Sequence, residues 1–88
     1  MKFQFSGNLL RYVDFHREVE VDGATLVEGV KHLVQAYPDF SKIMLDANGD
    51  IRLIHRFFLN GELLEGRNFD CQVQPNDEVT VLTPIAGG

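Results

Sequence analysis

The sequence predicts an α+β domain: one main helix packed across a mixed sheet of about five strands, with a protruding C-terminal tail. Three observations carry this. Two short runs alternating apolar and polar residues precede a segment with helical apolar spacing, three strand-like runs follow it, and no internal repeat interrupts the order. Such an order suits helix-on-sheet packing, with the first and last strands side by side in parallel. Eighty-eight residues, 44% of them hydrophobic, are enough for one domain with its own core.

Lys2-Phe3-Gln4-Phe5-Ser6 alternates, with Phe3 and Phe5 inward, and Gly7-Asn8 signals a turn. Leu9 to His16 has no clean period and reads as a loop carrying Leu9, Leu10 or Phe15 back onto the body. Arg17 to Asp22 alternates again, with Val19 and Val21 inward, so the two strands form a hairpin-like antiparallel pair. Thr25-Leu26-Val27-Glu28 is a capping box that starts a helix. Leu26, Val30, Leu33, Val34 and Tyr37 form its apolar stripe, and Pro38 ends it near Tyr37. Phe40 to Leu45 reads as a short helical turn before the polar loop Asp46 to Asp50.

Ile51 to Leu59 reads as one long strand-like run, closed by the hairpin signal Asn60-Gly61 and a return strand over Glu62-Leu63-Leu64. With Phe57 and Leu59 inward, Arg56 and Phe58 point to the other face. Gly66-Arg67-Asn68 and Gln74-Pro75-Asn76-Asp77 are turns, and Glu78 to Leu82 is the last strand, with Val79 and Val81 inward and Thr80 and Leu82 outward.

The ending Pro84-Ile85-Ala86-Gly87-Gly88 is the most distinctive stretch. Two final glycines arise by chance in roughly one chain in 200. Glycine leaves no side chain beside the terminal carboxylate and admits backbone angles closed to other residues, so a narrow cleft can take it. Proline cannot donate to a sheet ladder, so the strand stops near Thr83. Residues 1–82 then form the domain and 83–88 a flexible tail that spans about 20 Å at roughly 3.3 Å per residue. An ordinary frayed terminus is the competing reading.

Composition narrows the partners. Eight Lys plus Arg against 13 Asp plus Glu give a net charge of −5, the wrong sign for a nucleic-acid binder. The single cysteine, Cys71, excludes an internal disulfide. It also excludes an iron–sulfur cluster held by four thiolates. No secretory signal or 18-residue apolar run appears, so no membrane is expected and the cytoplasm is the expected compartment.

Over nearly its whole length the chain resembles the ubiquitin-like β-grasp superfamily, and within it sulfur carriers of the MoaD/ThiS type. The resemblance rests on the element order and on the ending Val79-Thr80-Val81-Leu82-Thr83-Pro84-Ile85-Ala86-Gly87-Gly88. Phe57 to Gly66 also looks like the third strand, turn and fourth strand of ubiquitin. The length and the Phe40 to Asp50 segment are more similar to molybdopterin-synthase-like and cysteine-biosynthetic carriers than to the thiamin carriers.

The resemblance implies a carrier with no active site and no bound cofactor. An activating adenylyltransferase would use MgATP to convert the Gly88 carboxylate to an acyl-adenylate, which sulfur displaces to give a thiocarboxylate. Pro84, Ile85, Ala86 and Gly87 would thread the partner's passage. The sulfur acceptor would be an enzyme such as a molybdopterin synthase large subunit or a cysteine synthase-type enzyme. Phe58 and Leu82, with Arg56 and Thr80 beside them, would form the partner interface, because the β-grasp sheet places their strands together. The competing reading covers Phe58 with the Leu9-Leu10 loop. A ubiquitin-like modifier conjugated to lysine through Gly88, or a plain interaction module, fits the same tail.

The remaining polar residues read as structural. Cys71 has no adjacent histidine or basic cluster and reads as a packing residue. His16, His32 and His55 lack metal-ligand spacing. His55-Arg56 resembles a basic dipeptide of some cysteine-biosynthetic carriers and reads as solvated or at an interface rim. Asp46 to Asp50 lacks the calcium-loop spacing and reads as a plain loop.

Overall fold

The computed structural model describes residues 1–65 and 68–83. Five strands, β1 (Lys2–Gln4), β2 (Glu18–Glu20), β3 (Arg56–Leu59), β4 (Glu62–Leu63) and β5 (Glu78–Leu82), form one sheet in the order β2-β1-β5-β3-β4. β1 and β5 are parallel neighbours, as expected, and the other pairs are antiparallel. Helix α1 (Leu26–Ala36) and helix α2 (Pro38–Met44) follow β2. Together these make the β-grasp fold.

The helix starts at Thr25 as read, with the Glu28 carboxylate reaching one residue past the N-cap N–H of a standard capping box. The Thr25 hydroxyl accepts from the Glu28 N–H, and the Glu28 carboxylate accepts from the Ala24 N–H. The stripe buries Leu26, Val30 and Leu33 fully and Val34 and Tyr37 partly. Each full burial contributes about 1.5–3 kcal/mol. Gly29 lets α1 lie directly on β1, because a Cβ there would collide with the Met1 side chain and press on Phe3. Opposite α1, Phe3, Phe57, Val79 and Val81 supply the sheet's share of the core. Phe5 stacks beside Phe3 and meets the edge of Phe40, which ties β1 to α2.

Three segments differ from the sequence reading. Pro38 ends one helix but also starts another, because its fixed φ and missing N–H suit a first helical position. Gly7–Val13 is a 3-10 helix that buries Leu9 and Val13, whereas Phe15, beyond its end, is 71% exposed. The run from Ile51 to Leu59 is a strand only from Arg56 onward. Before that, Ile51 makes an isolated bridge to Leu45, and Leu53 and Ile54 stand exposed. The turn read at Gly66-Arg67-Asn68 falls largely outside the described residues.

The hairpin at Asn60-Gly61 is locked to the start of β5. The Asn60 side-chain amide donates to Asp77, its carbonyl accepts from the Glu78 N–H, and the Gln74 N–H donates to the other Asp77 oxygen. The Asn60 amide, and then the Gln74 N–H, hold the Asp77 carboxyl below its ordinary value of 3.8. The unfolded chain therefore binds the proton first as pH falls. The stabilisation from Asp77 is present above 3.8 and is lost as pH falls through the lower folded value. Urea denaturation should show Asp77→Ala less stable than wild type at neutral pH, with the gap shrinking in acid. A gap independent of pH would remove this assignment.

Candidate functional site

The outer face of the sheet gathers the side chains that the core does not take. β3 runs antiparallel to β5, with Arg56 opposite Leu82 and Phe58 opposite Thr80. The residues assigned to an interface from sequence therefore lie in two adjacent cross-strand pairs. Phe58 and Thr80 are half-buried, Arg56 is exposed, and Leu82 is 40% exposed. Thr80 donates to the Gln4 side-chain carbonyl on the neighbouring strand. Of the Leu9-Leu10 loop, the competing cover for Phe58, Leu9 packs in the core and Leu10 packs against it.

One residue of this face escapes the sequence reading. Leu63 lies directly opposite Phe58 and is 43% exposed. The signal is present in the chain: a two-residue turn at Asn60-Gly61 pairs Leu59 with Glu62, and therefore Phe58 with Leu63. Phe58, Leu63 and Leu82 give the face an apolar centre, with Arg56 and Thr80 alongside.

The end of β5 is held from below. His55 is 2% exposed, so it is neither solvated nor at a rim, in contrast to the expectation from sequence. Alternation explains the difference: His55 and Phe57 are two apart and turn to the same inner face. Its Nε2 lies 2.6 Å from the Ile43 carbonyl oxygen. A carbonyl only accepts, so Nε2 carries the proton. Its Nδ1 lies 2.8 Å from the Thr83 hydroxyl, which donates to it in the neutral imidazole. Arg56 is exposed, as read.

Beside this anchor is a mostly apolar groove of about 600 Å³, lined by Leu9, Tyr12, Ile43, Ile54 and Leu82 among others. Arg56 is the one charged side chain among its described lining residues. The tail positions Pro84, Ile85, Ala86, Gly87 and Gly88 lie outside the described residues.

The other polar candidates have local roles. Asp46 accepts from the Asn48 and Asp50 N–H groups and so closes its own loop. Cys71 is half-buried against the core, which is the packing position read from sequence. His16 pairs with the Tyr37 hydroxyl, and His32 with the Asp22 carbonyl. Among the described residues, no helix is long and apolar enough to cross a membrane.

No curated protein matches the chain by sequence. Solved structures match it closely in fold. SAMP1 from Haloferax volcanii aligns with a TM-score of 0.82 and 23% identity, covering 99% of this chain and 97% of that one. A chain of the BexX/CysO complex from Amycolatopsis orientalis gives 0.82 and 20%, covering 99% and 98%. CysO from Mycobacterium tuberculosis gives 0.81 and 18%, covering 96% and 98%. At these identities the likeness is one of fold. The ThiS family model matches residues 5–88, from the second core phenylalanine of the first sequence run through the terminal glycines. By that match the chain belongs to the ThiS family.

Proposed function

We propose that the chain is a sulfur carrier whose chemistry resides in the Gly88 carboxylate and whose folded body supplies recognition. The observation that carries this reading is the family match, which runs through Gly87 and Gly88 to residue 88. A carboxylate is a poor electrophile, and adenylation by a partner enzyme with MgATP makes it a good one. The Gly88 oxygen attacks the α-phosphorus of ATP and pyrophosphate leaves. Hydrosulfide then attacks the carbonyl carbon, the C–O bond to AMP breaks, and AMP departs with the electron pair. The sulfur enters and stays fully reduced, so no oxidant is needed.

The resulting thiocarboxylate sulfur adds to the electrophilic carbon of a polarised double bond in a substrate held by the acceptor enzyme; the π bond breaks and its electron pair takes up a proton. Water then cleaves the acyl–sulfur bond, which leaves sulfur on that substrate and restores the Gly88 carboxylate. An acceptor of the molybdopterin synthase or cysteine synthase type fits this chemistry, and MgATP with reduced sulfur fits the cytoplasm. The outer face around Phe58, Leu63 and Leu82 suits a partner contact, being apolar at its centre. The complex of CysO with BexX supports the expectation that a protein of this fold works bound to another.

A second reading has its own support, since SAMP1 is described as a small archaeal modifier protein. In that case the same adenylate would end in an isopeptide bond to a lysine. Affinity capture with the chain as bait, followed by intact-mass measurement after co-expression with the captured adenylating enzyme, separates the two. A carrier gains the mass difference of one oxygen replaced by sulfur. A modifier gives high-mass adducts that resist hydroxylamine. Neither product, with an active adenylating enzyme present, removes both.

A further inference from the structure

We propose that His55 is a positioning residue for the tail: its buried imidazole ties Thr83, the first residue past β5, to the Ile43 carbonyl in α2, and so sets the direction in which the chain leaves the domain. The proposal rests on the sulfur-carrier reading, because the reaction there requires the tail to enter a partner.

The register shows why a side chain is needed at this point. The antiparallel ladder between β3 and β5 has Arg56 opposite Leu82 as its last rung. One step further, His55 stands opposite Thr83, beyond the assigned ends of both strands. Both turn to the inner face by alternation, at a non-hydrogen-bonded position of the antiparallel ladder, since the Asn60 N–H bonds the Glu78 carbonyl and bonded pairs recur every second residue; the 2.8 Å bond between Nδ1 and the Thr83 hydroxyl is thus a side-chain tie where the ladder places no backbone bond between the two residues. The other end of the ring is equally committed. Ile43 lies in the last turn of α2, where carbonyls have no partner within the helix, and the His55 Nε2–H supplies one at 2.6 Å. The imidazole thus joins helix, sheet and tail root at a single buried point, 2% exposed.

A root held this way leaves fewer residues for an activating enzyme to order, and ordering each residue costs entropy. The effect belongs to binding rather than to the chemical step. His55→Ala would also strip Ile43 of its partner and risks unfolding the chain, so the sharper variant is Thr83→Val, which keeps the shape and removes the hydroxyl. In MgATP–pyrophosphate exchange with the adenylating enzyme that activates wild type, Thr83→Val should raise KM for the carrier about five- to tenfold, with kcat within about twofold. Thr83→Ser should restore KM. Amide hydrogen exchange at Thr83 in the free protein should accelerate by a similar factor in the valine variant and not in the serine variant.

Unchanged KM and unchanged exchange in Thr83→Val would overturn the proposal. So would a loss confined to kcat. If the wild-type chain is itself never adenylated, the sulfur-carrier reading falls, and the exchange rates still decide whether His55 holds the tail root.

Discussion

Gly88→Ala should lower adenylation by at least about 100-fold in kcat/KM while changing folding stability by less than about 0.5 kcal/mol. The reacting carbon is bonded directly to the α-carbon of residue 88, so an added methyl sits beside the atom that must reach ATP. It also closes the half of backbone space that only glycine uses freely. A misplacement of about 1 Å at a reacting centre is worth about 100-fold, which is why so small a group has so large an effect. The body has no stake in the change: the last buried core residue among those described is Val81. Pyrophosphate exchange and a denaturation curve on the same preparation test both halves. Normal adenylation of Gly88→Ala would rule out a narrow passage, and undiminished function after deletion of Gly87-Gly88 would rule out the carrier reading entirely.

Features with local causes are legible in the amino-acid order alone. Thr25 and Glu28 announce a helix start because their side chains bond N–H groups three or four residues away. Asn60-Gly61 announces a hairpin because both residues take positive φ, 51° and 86°. The outer-face pairing of Phe58 with Thr80 and of Arg56 with Leu82 follows once β3 and β5 are neighbours, a step that rests on family resemblance and not on periodicity.

What residue type alone misses depends on contacts distant in sequence. His55 looks like a surface residue between Ile54 and Arg56, and its bonds to Ile43 and Thr83, 12 and 28 residues away, help make its burial tolerable. The run before it is apolar enough for a strand, yet Ile51 bridges back to Leu45 and the chain turns before pairing with β5. Composition cannot distinguish an apolar loop from an apolar strand. Alternation counted backward from Phe57 turns His55 inward. The identity of its partners needs the fold.

Phe58→Asp should weaken binding to the adenylating partner about 30-fold while leaving the chain folded. Burying the exposed part of a phenylalanine and its surroundings contributes roughly 2 kcal/mol, and a buried carboxylate in its place recovers none of it. Loss of an aromatic from an outward strand position costs the fold about 1 kcal/mol. A domain of this length has roughly 4–13 kcal/mol in hand, so the native state persists. Leu63→Asp should weaken binding less, and the double variant by less than the sum, because the two residues face each other across the strands. The added negative charge itself needs a control, since the chain already carries −5. Phe15→Asp provides it: that aromatic is 71% exposed but sits after the 3-10 helix, off the sheet face. Equal losses for Phe15→Asp and Phe58→Asp would mean that net charge, and not the apolar centre around Phe58, governs the encounter; an unfolded Phe58→Asp chain would mean that the ring belongs to the fold and not to an interface.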